Sequence, residues 1–176
     1  TRRLHRQRRR PGAFYLARGS LAHCSNTGLA VMIEPVAWRI VDAVWPRDES
    51  AIRRVRRDVF IDEQGIPESL EWDGRDAGCR HVLALTGMAE AVATGRLLAD
   101  GRIGRMAVLR AWRGRGVGSA LLERLQQQAL DSGLQRVHVH AQVEVAGFYS
   151  RAGFQPVGQT FIAAGIVHME MIKTLL

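Results

Sequence analysis

A glycine-rich turn between an apolar segment and an amphipathic helix constrains the fold of this chain more than any other feature. The turn follows apolar residues that end at Leu109, and it contains Arg113, Gly114, Arg115, Gly116, Val117, Gly118 and Ser119. The next segment places Leu121, Leu122, Leu125 and Ala129 on one helical face, and Gly133 is its expected left-handed cap. A helix that crosses between two strands of one sheet requires those strands to run parallel.

Periodicity in the rest of the chain adds an antiparallel meander to this crossover. Asp100 and Gly101 form a strong hairpin signal between two apolar segments. We expect helices near 46–60 and 144–152, a loop or broken helix at 64–78, and strands at 37–44, 80–86, 90–98, 102–109, 136–141, 154–161 and 166–174. The sequence therefore predicts an α/β (mixed α+β) fold, with helices flanking one mixed, mostly antiparallel sheet of six to seven strands.

Length and composition favour one domain without a membrane span. The chain has 176 residues, of which 47% are hydrophobic, and this suits a single domain with its own core. No run of 18 apolar residues exists, so we expect no membrane-spanning helix and no membrane partner. The two cysteines give neither a disulfide framework nor the spacing of a metal site. We expect a cytoplasmic protein without a metal, and the sequence leaves a homodimer open.

The net charge of +8 is concentrated in a basic tail, residues 1–31, which holds seven arginines and no acidic residue. Residues 32–176 carry 18 basic and 17 acidic side chains, so they are nearly neutral. Such a tail can be a nucleic-acid arm, a targeting signal, or sequence upstream of a true start. We favour the last, because Met32 directly precedes the first strand-like segment. We therefore expect a domain at 32–176 that requires no nucleic acid.

The glycine-rich turn has the chemistry of a pyrophosphate site. A turn that opens a helix directs unpaired backbone N–H groups out of a positive helix terminus. Glycines let an anion approach those groups and adopt backbone angles that other residues resist. No Gly-Lys-Ser/Thr follows for a P-loop, and the spacing lacks the last glycine of the dinucleotide fingerprint. An ordinary tight connection between strand and helix is the alternative.

Two motifs together resemble those of the GNAT acetyltransferase superfamily. The segment from Arg113 to Gly118 is similar to the family's R/Q-x-x-G-x-G/A signature, and a later segment is similar to its F-Y-x-x-x-G-F motif through Phe148, Tyr149, Gly153 and Phe154. Shorter matches, including Arg105-Met106-Ala107-Val108 and His140-Ala141-Gln142, resemble the ElaA-like branch. The resemblance implies a GNAT fold that is splayed at the site for coenzyme A, with acetyl-CoA as cofactor. It also implies acetyl transfer to the amine of a small-molecule or peptide acceptor.

The resemblance assigns most of the acetyl-CoA contacts to the backbone. It implies that N–H groups of Met106, Ala107 and Val108 bind the pantetheine arm where the sheet splays. It implies that residues 113–119 hold the pyrophosphate, and that Phe148 borders the cofactor. Gln142 stands where many relatives carry an asparagine, so the same amide contact is expected there.

The reaction also needs an acid for the departing thiolate and a base for the amine. Tyr149 is the expected acid, because a phenol stays protonated at neutral pH and the residue lies within the family motif. Packing in the core is its alternative role. His140 is the expected base. His138, His168, Glu63, Glu144 and a water chain remain alternatives.

The acceptor pocket is expected to involve the irregular segment 64–78 and the final hairpin. Glu63, Trp72 and Asp73 lie at or near that segment, and His168 lies in the hairpin. Together with Asp76, these carboxylates would favour a cationic amine as acceptor. The alternative is that they belong to a solvated acidic loop without a role in binding.

Three other functions remain open from the sequence. An acyl-homoserine-lactone synthase shares the expected architecture, and Arg56, Phe60, Trp72, Asp73 and Asp76 loosely match its pattern; the glycine-rich turn favours coenzyme A instead. A nucleic-acid-binding module would rely on the basic tail, because the domain shows no basic face in sequence. A non-catalytic acyl-CoA sensor would keep the turn and need no proton donor.

Overall fold

The computed structural model describes residues 37–175. The basic tail lies outside these residues, so the proposed boundary at Met32 stays a prediction. The described strands are β1 Trp38–Ala43, β2 Arg80–Thr86, β3 Ala91–Leu97, β4 Arg102–Val108, β5 Arg136–Gln142, β6 Gln155–Ala163 and β7 Ile166–Thr174. The described α-helices are α1 Glu49–Arg56, α2 Glu68–Glu71, α3 Val117–Asp131 and α4 Ala146–Arg151.

All seven strands form one sheet in the order β1-β2-β3-β4-β5-β7-β6. Neighbouring strands are antiparallel except β4 and β5, which flank α3 and run parallel as the crossover predicts. The parallel pairing is short, because it joins only Arg102 to His138 and Ile103 to Val139. Beyond these pairs the two strands separate. The predicted mixed α/β sheet is confirmed, and its splay lies between β4 and β5.

A bulge in β4 lies at the start of this splay. Arg96 of β3 pairs with Gly104, whereas Thr94 pairs with Ala107, so β4 contains one extra residue between the two pairs. Within the bulge Arg105 has a φ of +52°, in the left-handed region that non-glycine residues rarely adopt. Bulges bend a strand and redirect its side chains. This bulge therefore turns β4 away from β5.

Two hydrophobic clusters cover the two faces of the sheet. On one face α3 packs Leu121, Leu122, Leu125 and Ala129 against the sheet, as the helical pattern predicts, and Tyr149 and Phe154 belong to the same cluster. On the other face α1 places Ile52 and Val55 against strands β2 to β4. Between the helices, Gly95 of β3 lies so close to α3 that an added Cβ would be 2.7 Å from Leu125 Cδ1.

The helical and irregular segments differ from expectation in detail. The helix expected near Pro46 begins at Glu49, because residues 45–48 form a turn in which Asp48 Oδ2 accepts a hydrogen bond from the Val44 N–H. That helix continues as a π-helix, Arg57–Glu63. The broken segment 64–78 contains only α2 and a short 3₁₀ turn, Asp76–Gly78, as predicted. Within residues 37–175 no helix is long and apolar enough to cross a membrane.

Candidate active site

The splay between β4 and β5 opens into a cavity of about 410 Å³, the splay cavity. Its polar lining comes from four parts of the fold: segment 64–78, the β4 bulge, the end of β5 with α4, and β7. These polar residues are Gln64, Glu71, Arg105, His140, Gln142, His168 and Tyr149. Met106 also lines it, together with apolar residues such as Phe60 and Leu70. The cavity therefore brings together Tyr149, His140, Gln142, His168 and Met106 from the sequence-predicted site.

The glycine-rich turn lies at the N-terminus of α3. Gly114 and Gly116 have φ values of +73° and +78°, and no atom lies within 4 Å of a Cβ added to either residue. Glycine is therefore required at both positions by the backbone conformation and not by crowding from neighbouring atoms. Gly116 caps α3 without a side-chain hydrogen bond, so the N–H groups of Val117, Gly118 and Ser119 have no cap from this residue. This geometry fits an anionic pyrophosphate.

Arg113 contacts protein groups at this turn. Its guanidinium donates to both carboxylate oxygens of Glu63 at 2.7 Å and to the carbonyl oxygen of Val108 at 2.9 Å. The hydrogen bond from Arg113 lowers the pKa of Glu63. Glu63 is the last residue of the π-helix and does not line the splay cavity. The structure thus places Glu63 beside the glycine-rich turn and away from the expected acceptor pocket.

Strand β4 presents Met106, Ala107 and Val108 at the splay. On the β3 side, Ala107 pairs with Thr94 and Val108 with Ala93. On the β5 side, the described residues form no pair beyond Ile103 and Val139. The backbone of these three residues therefore lies along an opening between strands, as a bound extended ligand arm would require.

Tyr149 lies on α4, and its side chain both packs in the core and forms part of the cavity wall. The residue is 8% exposed, and its ring contacts Phe148 and Phe154 edge to face at centroid distances of 5.0 and 5.7 Å. Burial raises the pKa of Tyr149 to about 12, so the hydroxyl is protonated at neutral pH. Among residues 37–175 no group forms a hydrogen bond with that hydroxyl. Phe148 lies 3.7 Å from a Cβ added to Gly118, and so borders the turn.

His140, Gln142 and His168 share the other wall. His140 and Gln142 lie on one face of β5, and Gln142 pairs with His168 of β7. Gln142 Nε2 donates to Gln64 Oε1 at 3.2 Å, while His168 Nδ1 lies 2.9 Å from the Ile166 carbonyl oxygen. Burial lowers the pKa of His140, and the positive charge of Arg102 lowers it further. The imidazole of His140 is therefore mainly neutral at pH 7.

Trp72 and Asp73 belong to a different structure, which we call the arginine–carboxylate cluster. Its members are Arg56, Arg96, Arg105, Glu71, Asp73 and Asp76. Asp73 receives hydrogen bonds from both Arg96 Nη atoms, at 2.8 and 2.6 Å, and these bonds lower its pKa. The Trp72 ring lies 4.8 Å from the guanidinium carbon of Arg56. Neither residue lines the splay cavity, because both are turned toward the arginines.

Arg105 and Glu71 line the cavity without having been assigned a role from the sequence. Arg105 lies within a recognised motif, but its conformation depends on a bulge that no residue pattern showed. Glu71 lies in an irregular segment, where side-chain direction cannot be inferred from periodicity. The sequence shows acidic residues in this segment and arginines elsewhere, and buried carboxylates usually have cationic partners, but it does not show which residues pair. Within residues 37–175 no three His, Cys, Asp or Glu side chains are grouped as metal ligands.

Comparisons with known proteins agree with this geometry. Residues 48–175 match the family model described as an acetyltransferase (GNAT) domain. The uncharacterized N-acetyltransferase YjcF of Bacillus subtilis is 32% identical over 123 residues, which cover 68% of this chain and 87% of YjcF. An acyl-CoA N-acyltransferase structure from Pseudomonas aeruginosa has a TM-score of 0.69 at 29% identity, covering 79% of this chain and 99% of that one.

The crystal structure of Escherichia coli ElaA has a TM-score of 0.68 at 28% identity and covers 77% of this chain and 98% of that one. The resemblance inferred from the motifs is confirmed, including its ElaA-like character. The chain belongs to the GNAT acetyltransferase family, in which an acyl group is transferred from acyl-CoA.

Proposed function

We propose that this protein is an N-acetyltransferase that uses acetyl-CoA and transfers the acetyl group directly to the amine of a small-molecule or peptide acceptor. The observation that carries the proposal is a buried, protonated tyrosine hydroxyl on the wall of a cavity that opens where β4 and β5 separate. Family membership supports an acyl-CoA donor; the acetyl group and the amine acceptor are our inference.

The residues at the turn fit the donor. The open, positive-φ glycines Gly114 and Gly116 and the uncapped start of α3 suit a pyrophosphate, and the free side of β4 suits an extended arm. Acetyl-CoA, when bound, supplies a thioester carbonyl that an amine attacks with cleavage of the carbon–sulfur bond. Residues 106–108 would hold the arm, and residues 114–119 would hold the pyrophosphate. Arg113 would position that turn through Glu63 and the Val108 carbonyl.

Two side chains would move protons. Tyr149 donates its proton to the departing sulfur, because burial keeps the phenol protonated and the described residues leave its hydroxyl without a partner. His140 accepts the proton of the amine, because its lowered pKa leaves the imidazole neutral. His168 lines the same cavity, whereas His138, Glu63 and Glu144 do not. Their positions in the cavity favour His140 and His168 over the other candidate bases.

We further propose a cytoplasmic location. The chain has two cysteines and so no set of cysteines typical of a disulfide-stabilised secreted domain.

Acetyl-CoA binding and acetyl transfer are tested separately. Ligand binding to the native state raises its stability, so acetyl-CoA at about 100 times its dissociation constant should stabilise the fold by about 2.7 kcal/mol. Thermal unfolding measures this effect, with ATP and NAD as controls that should be inert. A panel of primary amines is then screened for release of free coenzyme A. An unchanged midpoint with acetyl-CoA would remove the donor assignment, and binding without release would indicate an acyl-CoA sensor.

A further inference from the structure

The three carboxylates of the arginine–carboxylate cluster are each paired with arginines. Glu71, the acidic residue on the cavity wall, is 2% exposed; its Oε1 accepts a bond from Arg56 Nε at 2.5 Å and its Oε2 lies 2.9 Å from Arg105 Nε. Asp76 binds Arg56 and Arg96, and Asp73 binds Arg96. These carboxylates therefore have arginine partners at hand and leave no unpaired negative charge to attract a cationic acceptor.

Arg105 is the cation of this cluster that reaches the cavity. Its Nη2 donates to the carbonyl oxygens of Leu70 and Glu71 at 3.0 and 3.1 Å and lies 3.5 Å from Asp73 Oδ2. Its Nε is buried against Glu71. Its Nη1 has no hydrogen-bond partner among residues 37–175, and the side chain is 27% exposed. One edge of the guanidinium is thus held by the protein and Nη1 remains for a ligand.

The backbone holds Arg105 in this position at an energetic cost. A φ of +52° lies in the left-handed region, where the Cβ of a non-glycine residue strains the backbone. A glycine would relieve that strain, yet the bulge carries a long, permanently charged side chain directed to the cluster and the cavity. Strained backbone of this kind is concentrated at ligand sites.

The remaining lining sets the other requirements for an acceptor. Phe60, Ile66, Leu70, Val145 and Ile166 supply apolar surface around the same cavity. His140 and Tyr149 supply the proton-transfer groups proposed above. A ligand that matches the apolar surface, the proton-transfer groups and Arg105 would combine an apolar body, an amine and an anionic group that pairs with Arg105.

We infer that the acceptor is an amine that carries a carboxylate, as an apolar amino acid does, and that Arg105 Nη1 binds this carboxylate. The inference rests on the proposed function and specifies its substrate class. It reverses the expectation of a cationic acceptor, which the acidic residues of segment 64–78 suggested. Charge-assisted hydrogen bonds from arginine to carboxylate are among the stronger ones in proteins.

The test compares matched pairs of acceptors. Leucine, methionine, phenylalanine and valine are compared with their amides, which keep the side chain and amine and lose the negative charge. Acetylation is followed as release of coenzyme A, and binding as the thermal shift of the protein saturated with coenzyme A. We expect wild-type kcat/KM to favour the amino acids by about tenfold or more, the effect of a charged hydrogen bond.

Variants of two arginines in the sheet separate loss of ligand binding from general disruption of the fold. Arg105→Gln should lower kcat/KM for the amino acids by about 10- to 100-fold, and leave the amides within about threefold. Arg105→Lys should retain part of the preference, because it keeps the charge and loses the planar fork. Arg39→Gln is the control, since Arg39 is an exposed arginine of β1 that does not line the cavity. Its ratio of amino acid to amide should equal that of the wild type.

Each result decides one of the two proposals. Equal or better turnover of the amides by the wild type overturns the carboxylate inference and leaves the acetyltransferase proposal standing. An equal loss for both members of each pair in Arg105→Gln also overturns it, because Arg105 would then act only through the fold. Amino acids that neither bind nor react overturn it as well. Arg105-dependent binding without acetylation would instead contradict the acetyltransferase proposal.

Discussion

The two sides of the splay are built in different ways. On the α3 side, the glycine-rich turn is made by consecutive residues, and it offers backbone N–H groups that have no side-chain cap from Gly116. On the opposite side, the arginine–carboxylate cluster takes side chains from α1, segment 64–78, β3 and β4. A site made by local backbone tolerates changes of side chain but not of backbone angle. A site made by distant side chains depends on each partner.

The largest effect is expected from breaking the arginine–carboxylate cluster. Arg56→Met would leave Glu71 and Asp76 without one of their cationic partners, in a site where Arg56 itself is 0% exposed. Loss of one partner of a buried ion pair typically costs 3–5 kcal/mol, so we expect destabilisation of about that size. Denaturant unfolding measures it. Arg124→Met removes the exposed pair with Asp42 and should cost about 1 kcal/mol or less. Equal losses would contradict the distinction between the two pairs.

Tyr149→Phe tests the chemistry on the α3 side of the cavity. The variant keeps the ring among Phe148 and Phe154 and removes the hydroxyl. We expect kcat to fall about a hundredfold or more, the lower limit for loss of a general acid, with acetyl-CoA affinity unchanged. Single-turnover release of coenzyme A and a binding titration measure the two quantities. Ser150→Ala, at an exposed neighbour on α4, is the control. Wild-type turnover by Tyr149→Phe would transfer the acid role to another group.

His140→Asn tests the base on the opposite wall. Because burial lowers the pKa of His140 from 6.5, the imidazole is neutral at pH 7 and becomes protonated only as the pH falls below that value. The wild-type kcat/KM should therefore rise with pH along an acid limb below pH 6.5, and the variant should lack this limb. We expect about a tenfold loss at pH 7, which is less than the full effect of a general base, because His140 is only partly buried and water can replace it. An unchanged acid limb would favour His168.

Gly116→Ala tests whether acetyl-CoA binding depends on the backbone angles of the glycine-rich turn. A φ of +78° resists a Cβ, although no atom lies nearby to collide with one. We expect destabilisation of about 1–2 kcal/mol and weaker acetyl-CoA binding. Gly87→Ala is the control, because Gly87 has equally open surroundings and no positive φ. If both variants bind acetyl-CoA as the wild type does, the conformation of the turn does not determine affinity.

Glu63→Gln should have the smallest effect. Its ion pair with Arg113 is exposed on both sides, and exposed pairs contribute little. We expect acetyl-CoA affinity to change by no more than about fivefold, since Arg113 keeps its bond to the Val108 carbonyl. Glu49→Gln removes a similar pair with Arg53 far from the turn and should not affect binding. A loss of more than about tenfold would show that Glu63 is needed to position the turn.

Most of the fold follows from local patterns. Strand β2 has the predicted ends, β4 and β5 differ from prediction by one residue at one end, and β3 is one residue shorter at each end. Hydrophobic periodicity and turn residues predicted the antiparallel meander, the parallel pair around α3 and the inward face of α3. These features depend on neighbours in sequence, which a single chain displays directly.

The sequence by itself determined the glycine-rich turn, the family motifs and the presence of Tyr149 within one of them. Only the tertiary structure decided where β4 leaves β5, how Arg105 is held in a bulge, and which carboxylates face arginines instead of the cavity. Asp73 and Asp76 were expected to line an acceptor pocket or a solvated acidic loop, because their partners Arg56 and Arg96 lie 20 to 23 residues away in the chain. The charge that a ligand meets is a sum over such distant groups, and it exists only after the chain has folded.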